Sequence, residues 1–307
     1  MSNEKKNDLY EGLAYLKEMI YQSYDEKTSS EILKGMTEKR VVSLRVNTLK
    51  TTRGEVKKIL DQENIKYEDV SWYEDAFVIF DCESSLEKLS MYQEGHIYLQ
   101  SLSSMIPPLI LNPKPKRDIL DMAAAPGGKT TEIAALTDNQ AFITACEAHP
   151  IRAEKLKFNL SRQGVKNVSV LIKDALKLDE FYRFDQIMLD APCSGSGTID
   201  LNDEKSYRYF SNKLVTKSVE TQKNLLKKAI QLLKPGHEMV YSTCSILPLE
   251  NEMVIKEILK SNQVEIIALD PSFFKDMPLL PSRLEHAVVI KPTAYYEGFF
   301  ICKLRKK

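Results

Sequence analysis

Leu9, Leu13, Leu16, Met19 and Ile20 recur at helical spacing among charged residues, which predicts helix within residues 8–35. Residues 41–47 alternate as a strand, closed by Thr48-Leu49-Lys50. A helix is expected over 52–61, and strand-like stretches follow at 70–73 and 77–80. These short elements describe a compact α+β module.

From residue 96 the pattern becomes an alternation of strands and helices. A helical apolar stretch over 99–111 ends at Pro113-Lys114-Pro115-Lys116-Arg117, a turn into a strand at 118–122. After Gly127-Gly128 the pattern reads helix 130–136, strand 141–146, helix 151–163, and strands 168–172 and 184–189. Helix 217–233, strand 238–242, helix 251–260 and strands 264–268 and 299–303 complete it. Strands separated by amphipathic helices predict an α/β fold with a parallel, doubly wound, Rossmann-like sheet. We therefore expect two domains with a boundary near Ser90: a small N-terminal α+β domain over 1–90 and the α/β domain over 91–307.

Charge supports that division. Residues 1–95 carry 14 Lys and Arg against 19 Asp and Glu, and the remainder of the chain carries 29 against 24. A net charge of zero excludes a global basic field, so any nucleic-acid surface must be a local patch. Cysteines 82, 146, 193, 244 and 302 form no C-x-x-C pair, which argues against zinc or a disulfide framework. Cys82, Cys146 and Cys302 lie in apolar runs and read as buried hydrophobes. No apolar run reaches the roughly 20 residues of a membrane span, and the polar N-terminus has no signal-peptide core. A cytoplasmic protein, monomeric and without metal or membrane, is the expectation.

The segment Asp121-Met122-Ala123-Ala124-Ala125-Pro126-Gly127-Gly128-Lys129-Thr130 is a strand–turn–helix junction. In a doubly wound sheet such a junction lies where ligands bind, and its glycines let the backbone approach them. Gly128-Lys129-Thr130 ends like a P-loop, but that pattern needs glycine at position 123, which is alanine. The GxGxxG fingerprint is also missing. Glu147 closes the next strand, where an acid accepts from a ribose diol; Asp174 closes the third, where a carboxylate accepts from an adenine amino group. Turn, ribose acid and base acid describe an adenosyl cofactor without polyphosphate, for which S-adenosylmethionine fits best.

Two strands then deliver cysteines to the same sheet edge: Asp190-Ala191-Pro192-Cys193-Ser194-Gly195-Ser196-Gly197 and Tyr241-Ser242-Thr243-Cys244-Ser245. Carbon 5 of cytosine is too weak a nucleophile for direct methyl transfer, whereas a thiolate added to carbon 6 makes carbon 5 an enamine terminus. A carboxylic acid near ring nitrogen 3 and a base for the carbon-5 proton complete that chemistry. Two cysteines, an aspartate and a lysine cover those roles.

These segments, with Arg45-Val46-Asn47-Thr48-Leu49-Lys50, Tyr98-Leu99-Gln100-Ser101, Glu250-Asn251-Glu252 and Glu297-Gly298-Phe299-Phe300, closely resemble the Sun (Fmu) family of RNA cytosine carbon-5 methyltransferases. The resemblance runs in order along nearly the whole chain. It implies Cys244 as the nucleophile, Cys193 as the residue assisting RNA release, Asp190 on the target base and Lys129 at the reaction centre. It further implies that Ala123, Ala124, Ala125, Pro126, Gly127, Gly128, Lys129 and Asp190 border the cofactor, with Glu147 on the ribose, Asp174 on the adenine and Arg152 supporting the site. The stretch after Gly197 lacks the basic and proline residues many relatives carry there, and His237 stands where relatives usually show a second glycine; we read it as a turn residue.

The implied partner is ribosomal or transfer RNA with its target base unpaired or flipped. Lys114, Lys116, Arg117 and the run Tyr207-Arg208-Tyr209-Phe210 are candidate contacts, read equally well as a solvated charge run and a packed aromatic cluster. No accessory RNA module is expected, which leaves selectivity to residues 1–95 and the crevice rim. Two other readings remain open: a DNA cytosine methyltransferase using Cys193, and a non-catalytic RNA-binding assembly factor. Intact Cys244 and Lys129 weigh against the second.

Overall fold

The computed structural model describes residues 3–81 and 83–307, the side chains of residues 3–10 excepted; Cys82 and the side chain of Leu9 lie outside what is described. The stripe within residues 8–35 forms two helices, Asn3–Ser23 and Glu26–Gly35. They divide at Asp25, whose carboxylate accepts from the Thr28 amide at 2.8 Å and caps the second helix. Leu16, Ile20, Ile32 and Met36 are buried in one core with Leu189 and Tyr241 of the large sheet. The Tyr24 hydroxyl donates to the Ile246 carbonyl at 2.6 Å. These helices thus cover the large sheet instead of completing the expected N-terminal module.

The small sheet is antiparallel, with strands β1 (Val42–Val46), β2 (Tyr67–Asp69), β3 (Ala76–Ile79) and β4 (Ile97–Leu99) in the order β2-β3-β1-β4. The helix Arg53–Gln62 starts at a capping box formed by Thr52 and Glu55. Residues 70–73, expected as a strand, turn instead: the Tyr73 amide bonds the Val70 carbonyl, and both side chains pack on Leu102 and Met105. β4 comes from beyond Ser90 and pairs with β1, so the expected helix over 99–111 begins only at Leu102.

The large sheet contains β5 (Asp118–Asp121), β6 (Phe142–Glu147), β7 (Val168–Ile172), β8 (Phe184–Asp190) and β9 (Leu233–Thr243), parallel in the order β9-β8-β5-β6-β7. Six of the seven β8 residues are buried, as a parallel strand covered on both faces requires. The sheet is not parallel throughout. β10 (Val264–Ile267), β11 (Leu279–Leu280), β12 (Val288–Ile290) and β13 (Phe299–Lys306) extend it antiparallel, with β13 against β9. Between β10 and β13 the only helical piece is the short 3-10 turn Pro271–Phe274, so no crossover helix carries the chain back parallel. The helix Asn212–Leu232 starts five residues earlier than its pattern suggested, at a Ser211 cap, and runs directly into β9. Among the described residues no helix is long and apolar enough to cross a membrane.

β5 lies between β6 and β8, so the chain leaves it in one direction and returns on its other side. That reversal opens a crevice beyond the C-terminal ends of β5 and β8.

Candidate functional site

Asp121 ends β5, Asp190 ends β8, and Thr243 ends β9 just before Cys244, so three neighbouring strands empty into the crevice. A cavity of about 450 Å³ lies there, walled by Ala123–Pro126, Gly128, Lys129, Asp190, Cys244, Tyr98 and Phe299. Its turn depends on Gly127, whose φ of 113° is left-handed; a Cβ there would meet Leu156 Cδ1 at 3.1 Å. Gly127 also caps the helix Gly128–Leu136, whose first amides are free to face a ligand.

Lys129 Nζ lies 2.8 Å from Asp190 Oδ2 and donates to Ser104 Oγ at 2.8 Å, above the Phe299 ring. Burial works against its charge, yet Asp190, Asp121 and Cys244 hold its ammonium above the usual lysine range. The other Asp190 oxygen accepts from Ser242 Oγ at 2.8 Å. Asp121, which the sequence reading left without a role, is buried at the cavity wall and accepts from Thr130 Oγ1 at 2.7 Å. Burial pushes its carboxyl up to about 6 despite that hydrogen bond.

Cys193 Sγ is 3.2 Å from Cys244 Sγ, although only Cys244 lines the cavity. The hydrogen bond to Cys244, burial and the nearby Glu250 carboxylate push the Cys193 thiol well above the cysteine range. The structure thus brings together Cys193, Cys244, Asp190 and Lys129.

Glu147, Arg152 and Asp174 stand at the same sheet edge but off the cavity wall. Glu147 is buried, accepts from the His149 amide at 2.8 Å and lies 3.3 Å from Arg152, which donates to the Ala125 carbonyl at 2.9 Å. Arg152 therefore ties the second strand end to the turn. Asp174 caps the short turn Ala175–Lys177 through the Leu176 amide.

The basic run Lys114, Lys116 and Arg117 lies at the opposite edge. Lys114 bonds Gln186 through its amide, and Arg117 faces Asp185, both at the start of β8. The run precedes β5, so it enters the sheet from the end away from the crevice. Tyr207 and Phe210 are buried, while Arg208 lies over the exposed ring of Tyr209. His237 closes the bulge of β9 at residues 234–237, after Gly236 with its φ of 76°, and lies 3.3 Å from Asp185. Cys146 and Cys302 are buried as expected.

Sequence reasoning also missed a buried layer beneath the cavity. Arg45 and Glu132 are fully buried, with Nε and Oε2 3.8 Å apart. Gln100, a cavity residue, donates to Glu132 and accepts from Arg45, and Arg45 donates to Thr131 at 2.9 Å. The signal was a charged residue inside an apolar strand and another inside an apolar helix.

Comparison with known proteins shows the family. Residues 108–305 match the family described as 16S rRNA methyltransferase RsmB/F, and residues 13–102 match the N-terminal domain of 16S rRNA methyltransferase RsmF. The ribosomal RNA small subunit methyltransferase F of Shewanella amazonensis is 37% identical over 277 residues, covering 86% of this chain and 58% of that protein. The tRNA (cytosine(49)-C(5))-methyltransferase of Pyrococcus abyssi is 36% identical over 274 residues, covering 86% of this chain and 88% of that one. A crystal structure of a methyltransferase homologue from Pyrococcus horikoshii is 33% identical, with a TM-score of 0.83 and both chains covered in full. The chain thus spans only a little over half the length of the Shewanella relative.

Proposed function

The chain belongs to the RsmB/F family of methyltransferases, and from that premise we propose that it is an RNA (cytosine-C5)-methyltransferase using S-adenosylmethionine. Its substrate is ribosomal or transfer RNA, the two classes named for its relatives. The observation that carries the reading is the pair of thiols 3.2 Å apart beside the Lys129–Asp190 ion pair.

The cavity suits the cofactor. Its carboxylates, Asp121 and Asp190, complement a sulfonium and an ammonium, and the free amides opening the helix Gly128–Leu136 complement a carboxylate. Residues 123–129 would hold the methionine and ribose portion, Glu147 the ribose diol and Asp174 the adenine edge, with Arg152 bracing Ala125. When bound, S-adenosylmethionine supplies an electrophilic methyl group to carbon 5.

Of the two thiols, Cys244 faces the cavity near Lys129 and is the one placed to attack the base. Its sulfur adds to carbon 6 of the cytosine, forming a carbon–sulfur bond and sending the electron pair toward ring nitrogen 3 and the exocyclic oxygen. Asp190, held by Lys129 and Ser242, hydrogen-bonds the base, and the Lys129 ammonium offsets the developing charge. After carbon 5 is methylated its proton passes to solvent water, the ring double bond re-forms, and the carbon–sulfur electron pair returns to Cys244; Cys193 assists this release. The small sheet, β1 through β4, positions the RNA, the large sheet carries the chemistry, and the enzyme acts as a cytoplasmic monomer.

The test is transfer of labelled methyl from S-adenosylmethionine to total RNA and to DNA. Label in 5-methylcytosine of RNA alone supports the reading. Label in DNA, or turnover with neither, overturns it. Bisulfite sequencing of RNA with and without the gene then identifies the cytosine.

A further inference from the structure

Glu250 takes no part in the steps above, yet it is fully buried within the two cysteine loops. Its Oε1 accepts from the Ser194 amide at 2.6 Å, and Oε2 accepts from Ser194 Oγ and Ser245 Oγ, each at 2.6 Å. Ser194 follows Cys193 and Ser245 follows Cys244, so one carboxyl group grips the residue next to each thiol. Secondary contacts close the clamp: Ser196 Oγ and Ser245 Oγ lie 2.8 Å apart, and the Gly197 amide donates to the Cys244 carbonyl. The Tyr241 hydroxyl fixes the Glu250 carbonyl at 2.8 Å, and Asn251 donates to the Ser245 carbonyl at 2.8 Å.

Among the described ion pairs Glu250 has none, so no cation offsets its burial. An unpaired buried carboxyl group is costly unless its hydrogen bonds are needed where they are. Three short ones converge here, all from two loops that leave different strands.

We propose that Glu250 is a positioning residue that fixes the Cys193–Cys244 separation, and through it the release of methylated RNA. The second half rests on the roles given above to the two thiols. The first half is a statement about geometry alone. A methionine keeps roughly the length of the side chain but offers no acceptor oxygen. The Ser194 amide and both serine hydroxyls then lose their partner, so Glu250→Met loosens one loop against the other.

The separation is read with a bifunctional thiol reagent that fluoresces only when it bridges two sulfurs. Wild-type protein is bridged between Cys193 and Cys244, as located by peptide mass. In Glu250→Met bridging slows at least about tenfold, the order expected of a lost buried hydrogen bond. Single alkylation of Cys244 by iodoacetamide changes little. With RNA and cofactor, Glu250→Met accumulates a covalent protein–RNA adduct on a denaturing gel, as Cys193→Ala does. Its multiple-turnover rate falls about tenfold while first-turnover methylation is largely kept.

Unchanged bridging overturns the proposal. So does an equal loss of first and later turnovers together with a lowered melting temperature, which marks a merely structural residue. If Cys193→Ala itself traps no adduct, the assigned thiol roles fail, and the bridging rate still decides the clamp. Should Glu250→Met not fold, Ser245→Ala removes one arm only and must slow bridging in the same assay.

Discussion

The buried Arg45–Glu132 pair predicts a coupling that depends on pH. Both side chains are fully buried and 3.8 Å apart. At an effective dielectric of about 20 two full charges at that distance attract by about 4 kcal/mol. Burial, however, pushes the Glu132 carboxyl from 4.5 up to about 8, outweighing Arg45 and Gln100. The folded state therefore binds a proton that the unfolded state has released, so this contribution to stability is present at low pH and lost as pH rises through about 8. Below that value the carboxyl is neutral and has only hydrogen bonds, of about 1 kcal/mol each, to share with its neighbours. A double-mutant cycle with Arg45→Met and Glu132→Gln, followed by urea unfolding, should give a coupling of about 1 kcal/mol at pH 6, rising by about 1.4 kcal/mol at pH 9, one unit above the Glu132 value. The single variant Arg45→Met should also be the more damaging at pH 9, where Glu132 must take up a proton that the wild type has released. Equal coupling at the two pH values would refute the reasoning, since Glu132 would then not titrate between them.

The remaining predictions concern the crevice. Cys244→Ala should abolish methyl transfer with cofactor affinity nearly unchanged, whereas Cys193→Ala should trap a protein–RNA adduct visible on a denaturing gel; an adduct that needs Cys193 and survives Cys244→Ala reverses the two roles. Lys129→Met removes the cation 2.8 Å from Asp190 and should lower the single-turnover rate at least about tenfold, moving its pH dependence upward. Loss of cofactor affinity alone, with an unshifted profile, would make Lys129 a binding residue only. Gly127→Ala puts a Cβ 3.1 Å from Leu156 at a φ of 113° and should cost about 1–3 kcal/mol in denaturant unfolding while weakening cofactor binding by calorimetry. Wild-type stability and affinity in that variant would mean the turn relaxes freely.

The parallel strands were legible because each is a short apolar run followed by an amphipathic helix, and that alternation has few solutions. The antiparallel extension was not, because an apolar run such as residues 299–303 carries no record of its direction. The N-terminal stripe announced a buried face without saying which sheet would cover it. Residues 70–73 failed for a related reason: their apolar side chains pack without any strand, since Trp72 donates to Tyr296 across 224 positions of sequence and the backbone turns to allow it. Both errors concern which distant surface supplies the burial. The position of the basic run is different in kind. That it precedes β5, and so enters from the far edge of the sheet, was already contained in the order of the elements.

Chemistry at the site was legible where residues of unusual type cluster in sequence, as at 121–130, 190–197 and 241–245. It was silent where function depends on difference between like groups. Cys193 and Cys244 are the same side chain in similar Ser-flanked loops, and no local pattern separates them. Their surroundings do. Cys244 leaves β9 directly into the cavity shared with Lys129, whereas Cys193 sits off the cavity wall near the Glu250 carboxylate. Lys129 and Asp190 stand on the cavity side of the pair and Glu250 on the other. The fold thus gives two identical thiols different surroundings, and it does so with charges drawn from three separate elements: the helix Gly128–Leu136, the end of β8 and the turn before the helix Glu252–Leu259.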